Sequence, residues 1–204
     1  MNLNTKLSSP VLFDSVILIF ACKNNIINEW ISYFDNPFIH EEVFGELIND
    51  KMKNLIDDLI KQGKIQVVEE PVYEKLDSSE IAIYESCKYE LRNRLDIENN
   101  NDLGEYKTLI YSKLYNIPII STQDTTVWNL YTNSKNYKNT EFLTLQDITY
   151  MMYLNGSKKV GRAIYKSTTN TVKYPRNEFL SHADSLNTSK EFKASFLSFK
   201  VSNY

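Results

Sequence analysis

Glycine and proline are scarce, five of each in 204 residues. That argues against collagen-like, linker-rich and many-turned all-β architectures, which depend on frequent backbone breaks. Cysteine is scarcer: Cys22 and Cys87 make no metal-ligand or redox spacing, and both fall in apolar helical patterns. A disulfide scaffold is not expected, and a reducing cytoplasm is the natural setting. The two histidines, His40 and His182, stand apart and supply neither a zinc pair nor a nucleophilic triad; both are expected to be structural or exposed. No glycine-rich phosphate loop is present, since Gly104-Glu105 and Gly161-Arg162 stand alone, which disfavours a nucleotide-driven motor or kinase. The longest early apolar run, Val11 to Cys22, is interrupted by Asp14-Ser15. It is too short for a membrane span and lacks the basic flank and small-residue exit of a signal peptide. A soluble, cytoplasmic chain with no membrane partner is expected.

The composition is that of an ordinary globular protein, with 42% apolar and 24% charged residues, and the length suits one domain with an appendage. A chain of this size hides roughly 70% of its extended surface on folding, enough for a real core. The net charge of −3 conceals an asymmetry. From Ser157 to Tyr204 nine Lys and Arg face three acids, a net of +6, leaving −9 on the first 156 residues. The division expected is a domain over 1–155 and a basic extension over 156–204. Lys158, Lys159, Arg162, Lys166, Lys173 and Arg176, interleaved with Tyr165 and Tyr174, have the make-up of a strand-steering, base-stacking surface for nucleic acid. A solvated basic tail is the plainer alternative.

Along the chain, Pro10 to Phe13 reads as a short buried strand running into a helix over Val16 to Cys22, with Asp14 and Ser15 at the junction where such residues cap helices. Helical spacing is expected over Asn24 to Phe34, ended by Asp35-Asn36-Pro37. One long helix is expected from about Glu41 to Gln62, with Gly63 at its C-terminal stop. Ile65 to Val68 reads as a strand, Ser79 to Leu95 and Leu103 to Tyr115 as helices, and Ile117 to Ser121 as a buried strand. Thr144 to Asp147 has the capping-box pattern that opens a helix through Leu154. Strands alternating with helices predict an α/β fold, a three-layer α/β/α sandwich around a mainly parallel central sheet. In such sheets binding groups gather at the carboxyl ends of the strands, where Asp14 and Asp124 fall.

Four segments carry a family pattern. Val11-Leu-Phe-Asp14-Ser15 is an apolar strand ending in an acid and a small hydroxyl residue. Glu42-Val-Phe-Gly-Glu46-Leu47 places a glutamate before a leucine. Asp102-Leu-Gly104-Glu105 opens a helix with acids. Ile117-Pro-Ile-Ile-Ser-Thr-Gln-Asp124 is a strand ending in Thr-x-Asp. In order and spacing these resemble the motifs of PIN-like domain nucleases over about residues 10 to 125. VapC-type toxins are the best-known bacterial members. The chain departs from the compact toxins in its length, in an extra segment at about 69 to 101 and in its basic tail.

The resemblance implies a Mg²⁺- or Mn²⁺-dependent ribonuclease. Asp14, Glu46, Glu105 and Asp124 would be its catalytic metal-holding carboxylates, and Asp102 a further ligand. Ser15 and Thr122 would be the hydroxyls that orient them. Hard divalent cations prefer such oxygen donors, and an ion held there would polarise phosphate and activate water for in-line attack. Each acid also has a plainer reading: Asp14, Asp102 and Asp124 as caps or turn formers, Glu46 as a solvated helix residue, and Glu105 as an acid favoured by the helix dipole. Two other functions stay open, a non-catalytic PIN-like module binding protein or RNA, and a DNA nuclease of similar architecture. The partners implied are RNA, an antitoxin-like protein and a second copy of the chain.

Overall fold

In a computed structural model the structure describes residues 6–47, 49–92, 95, 103–123, 127, 134, 136–137, 140–154 and 157. Asp102, Asp124 and the basic residues Lys158, Lys159, Arg162, Lys166, Lys173 and Arg176 lie outside them, as does almost all of the 156–204 extension.

Five strands form one sheet: β1 (Val11–Phe13), β2 (Pro37–His40), β3 (Gln66–Val68), β4 (Ile119–Ser121) and β5 (Glu141–Leu143). Their order is β3-β2-β1-β4-β5, and each neighbouring pair is parallel. The expected α/β sandwich is therefore present, and its sheet is parallel throughout. Two of these strands escape the sequence reading. Asp35-Asn36-Pro37 was expected only to end a helix, yet Phe38 and Ile39 continue into the sheet once Pro37 has opened the strand, a position that proline tolerates. Glu141–Leu143 is too short to show any period.

Side chains alternate across the strands and so fill two cores. Val11, Phe13, Ile39, Ile119 and Leu143 face one way. They pack with α1 (Ser15–Lys23), α2 (Ile27–Ser32), α4 (Asp50–Lys61) and α7 (Leu145–Leu154). Leu12, Phe38, Ile120 and Phe142 face the other way, against α5 (Ser78–Arg92) and α6 (Leu103–Leu114). Trp30 is fully buried in the first core, where its indole N–H donates to Met152 Sδ at 2.7 Å and fastens α2 to α7. α5 supplies Cys87 and Leu91, which complete the second core.

The long helix expected over Glu41 to Gln62 is two. A short helix α3 (Glu41–Gly45) ends at Glu46, and α4 starts afresh from Asn49, whose Oδ1 accepts from the amides of Lys51 (3.0 Å) and Met52 (3.3 Å). An asparagine side chain that satisfies two otherwise orphaned amides makes a new helix start cheaper than continuing the old one. The stop at Gly63 is as expected. Its φ of +67° lets Lys64 N–H reach back to Leu59 C=O at 2.9 Å, the closing bond of a Schellman turn. The Thr144 capping box also forms, with Asp147 Oδ2 accepting from Thr144 N–H at 2.8 Å and Thr144 Oγ1 accepting in return from Asp147 N–H at 3.2 Å.

Candidate functional site

With order 3-2-1-4-5 the chain turns outward in opposite directions from β1, so the carboxyl ends of β1 and β4 form the switch point where open parallel sheets leave a crevice. β1 pairs Phe13 with Ile39 on one side and with Ser121 on the other. Carried one residue further, that register sets His40, Asp14 and Thr122 abreast, about 4.8 Å apart strand to strand. All three fall two positions beyond Phe38, Leu12 and Ile120 and so face the α6 side of the sheet.

Asp14 is 1% exposed and occupies the N-cap position of α1, but its side chain makes no capping hydrogen bond. Its carboxylate turns across the strand ends instead. Thr122 Oγ1 donates to Oδ2 at 2.8 Å, and Ser15 Oγ donates to Oδ1 at 3.3 Å. Its backbone is fixed as well, Asp14 N–H donating to Ser121 C=O at 3.0 Å. An ionised carboxylate this deep is costly unless hydrogen bonds or a counter-charge satisfy it. Here buried hydroxyls from two chain segments hold both oxygens in a set direction.

Glu46 reaches the start of the helix that carries Glu105. The connection at 115–118 returns α6 to β4, so α6 begins at the carboxyl edge of the sheet. Glu46 is exposed, closes α3 and lays its carboxylate over Gly104, the residue before Glu105. A Cβ at position 104 would fall against Glu46 Oε1 and 3.0 Å from Cδ. The approach is open to glycine alone, and it sets a negative charge on the positive end of the α6 dipole. Glu105, half-buried, lies in the first turn of the same helix.

Asp14, Ser15 and Thr122 are thus joined by hydrogen bonds, and Glu46 is joined to the helix start that carries Glu105. Among the described residues no three His, Cys, Asp or Glu side chains gather closely enough to hold a metal ion. The acids Asp124, two residues beyond Thr122, and Asp102, ahead of α6, are outside that set.

A neighbouring polar cluster is built around His40, expected as structural or exposed and found to be structural. His40 is fully buried, its ring stacked on Tyr111 with centroids 4.5 Å apart and planes 6° apart. Its Nδ1 accepts from Glu42 N–H at 3.1 Å, and its Nε2 finds no hydrogen-bond partner among the described residues. Burial, reinforced by the nearby Lys107 ammonium, pulls the imidazole down to about 4. Lys107 Nζ lies 2.6 Å from Glu70 Oε2, and Glu70 N–H donates to Glu41 Oε1 at 2.9 Å. The Lys107 hydrogen bond holds the Glu70 carboxyl below its ordinary range. Glu41 and Glu70 thus tie β3, α3 and α6 together. Gln123 was passed over: its Oε1 accepts from Leu145 N–H at 3.1 Å and binds the end of β4 to the start of α7. Histidine and glutamine carry no special signal at such positions, so only the fold reveals them.

Set against protein-family models, curated proteins and solved structures, the chain matches none. Among the described residues no helix is long and apolar enough to cross a membrane.

Proposed function

We propose that this chain is a metal-dependent ribonuclease of the PIN-like kind, hydrolysing RNA phosphodiester bonds at the carboxyl ends of β1 and β4. The observation that carries the reading is Asp14. At a helix N-cap, an aspartate's ordinary use is to accept from the helix amides. This one is buried, leaves those amides alone, and is aimed by Thr122 and Ser15 across the strand ends at the switch point. Orientation of this kind is what a metal-binding carboxylate needs, and hydroxyl partners of such ligands matter nearly as much as the ligands themselves.

Mg²⁺ or Mn²⁺ held by Asp14 with Glu46, Glu105 and Asp124, and with Asp102 beside them, would polarise a phosphate oxygen and activate the attacking water. The chain's own part is to fix the carboxylates before substrate arrives. Thr122 and Ser15 hold Asp14 in one rotamer. Gly104 admits Glu46 to the start of α6, so the two helices that bear Glu46 and Glu105 keep a constant spacing. The basic residues from Lys158 to Arg176 would draw the polyanion to an otherwise acidic body, as a toxin, a defence effector or an RNA-processing enzyme requires alike.

Incubation of the full chain with end-labelled single-stranded RNA and DNA, in Mg²⁺, Mn²⁺ or EDTA, tests the proposal. Cutting of RNA that EDTA abolishes is the expected result. Cutting of DNA alone would make the site that of a DNA nuclease. Intact polymers under every metal, with a folded protein, would leave a binding module and refute the assignment.

A further inference from the structure

We infer that His40 is a positioning residue that sets Glu46 against the start of α6, acting through a single residue of α3, Glu42. The inference rests on the reading of Glu46 as a functional carboxylate, but its structural content does not.

The path is short and made of hydrogen bonds. His40 Nδ1 accepts from Glu42 N–H at 3.1 Å, and Glu42 C=O accepts from Glu46 N–H at 3.0 Å. Glu42 therefore has its amide fixed by the imidazole and its carbonyl fixing the backbone of Glu46. With five residues, α3 is too short to hold itself, because isolated helices of this length do not persist in water. Its geometry comes from Val43, buried in the first core, and from its two ends. The far end is Glu46 itself, lying on Gly104; the near end is the His40 cap.

The imidazole is in turn held from three sides. Its backbone pairs with Val68 in β3, its ring lies flat on Tyr111 of α6, and it is wholly buried. α6 is also the helix that carries Gly104 and Glu105. His40 is thus the joint through which the sheet edge and α6 together dictate where α3 ends. Asparagine or aspartate would cap α3 equally well, since both are better N-caps than histidine. Only an aromatic ring also reaches Tyr111, and only an imidazole supplies both the acceptor and the stack. The groups facing it are Lys107 from α6, Glu41 from α3 and Glu70 beyond β3. Burial, with the Lys107 ammonium nearby, disfavours a proton on the ring, so the Nδ1 acceptor stays available to Glu42.

The test uses the full chain, three single variants and one double variant. His40→Phe keeps the ring and loses the acceptor; His40→Asn keeps an acceptor and loses the ring; Glu46→Gln removes the carboxylate charge. Amide hydrogen exchange, read without metal or RNA, is expected to speed up roughly fivefold at Glu42 and Glu46 in His40→Phe, the effect of one lost cap. The sheet amides of β1 and β4 should be unchanged, and His40→Asn should restore slow exchange at Glu42. Unchanged exchange at Glu46 in a folded His40→Phe, or exchange in His40→Asn as fast as in His40→Phe, would overturn the inference. RNA cleavage is read alongside. His40→Phe should slow it, and the double variant with Glu46→Gln should be no slower than Glu46→Gln alone. Additive losses would mean that His40 does not act through Glu46. A wild type that cuts nothing while showing the expected exchange pattern would remove the ribonuclease reading and leave the positioning of Glu46 standing.

Discussion

Gly104→Ala separates stability from function at a single methyl group. Gly104 sits in the first turn of α6 with no positive φ to protect, and alanine is the better helix former by up to about 1 kcal/mol. At so early a position roughly half of that gain is realistic. The added Cβ meets one neighbour, the carboxylate of Glu46, against Oε1 and 3.0 Å from Cδ. Glu46 is exposed and its end is flexible, so the side chain rotates away instead of forcing α6 outward. What is lost is one carboxylate on a helix N-terminus, about 0.5 kcal/mol. The two effects nearly cancel, and the urea midpoint of Gly104→Ala should lie within about 1 kcal/mol of wild type. Metal-dependent RNA cleavage, by contrast, should fall at least about tenfold, because Glu46 has left the position that Gly104 makes for it. In a Glu46→Ala background the clash is gone, and the same substitution should stabilise by roughly 0.5 kcal/mol. Destabilisation by more than about 2 kcal/mol would show that α6 has no room to keep its place. Full activity in Gly104→Ala would show that the approach of Glu46 has no part in the chemistry.

Three further outcomes follow from the same geometry. His40 is neutral in the fold, with its imidazole held at about 4, whereas in the unfolded chain it binds a proton below about 6.5. The unfolded state therefore holds more protons between those values, so stability is complete above pH 6.5 and declines as pH falls to 4. Wild type should lose about 3 kcal/mol more than His40→Phe between pH 7 and pH 4 in urea titrations, and equal losses would contradict the buried neutral imidazole. Asn49→Ala should cost about 1 kcal/mol by removing the acceptor that starts α4; circular dichroism melts check this. Trp30→Ala should cost about 3–5 kcal/mol, since the indole is wholly buried and bonded to Met152 across the first core. A melt shifted by less than a degree or two would show that α2 and α7 are not held through it.

Much of this architecture is legible in the chain itself because its helices are long enough to show a period and its stops use the usual chemistry. The Gly63 turn and the Thr144-to-Asp147 capping box are local codes, read without tertiary knowledge. β2 and β5 were invisible for the opposite reason. Strands of three or four residues buried in a parallel sheet have no alternation to display, and what makes them strands is the neighbour supplied by the fold. The break between α3 and α4 hides inside a continuous helical period, since Phe44, Leu47, Leu55, Ile56 and Leu59 keep their spacing across it. Only the caps at His40 and Asn49 reveal two helices. At the site, the hydrogen bonds of Ser15 and Thr122 to Asp14 match what the family resemblance implied for those hydroxyls, while the role of Asp14 is a matter for experiment. His40 and Gln123 were not legible, for their roles depend on Tyr111 and Leu145, both distant in the chain.

Asp14→Asn decides whether Asp14 holds metal or merely ends β1. Wild type and Asp14→Asn are assayed for cleavage of labelled single-stranded RNA in Mn²⁺, with urea midpoints measured on the same preparations. Asparagine keeps the size of the side chain and an acceptor for Thr122, so the fold should hold while cleavage drops at least about a hundredfold. Equal cleavage by the two folded proteins would contradict a metal-holding Asp14 and return it to a structural place at the end of β1.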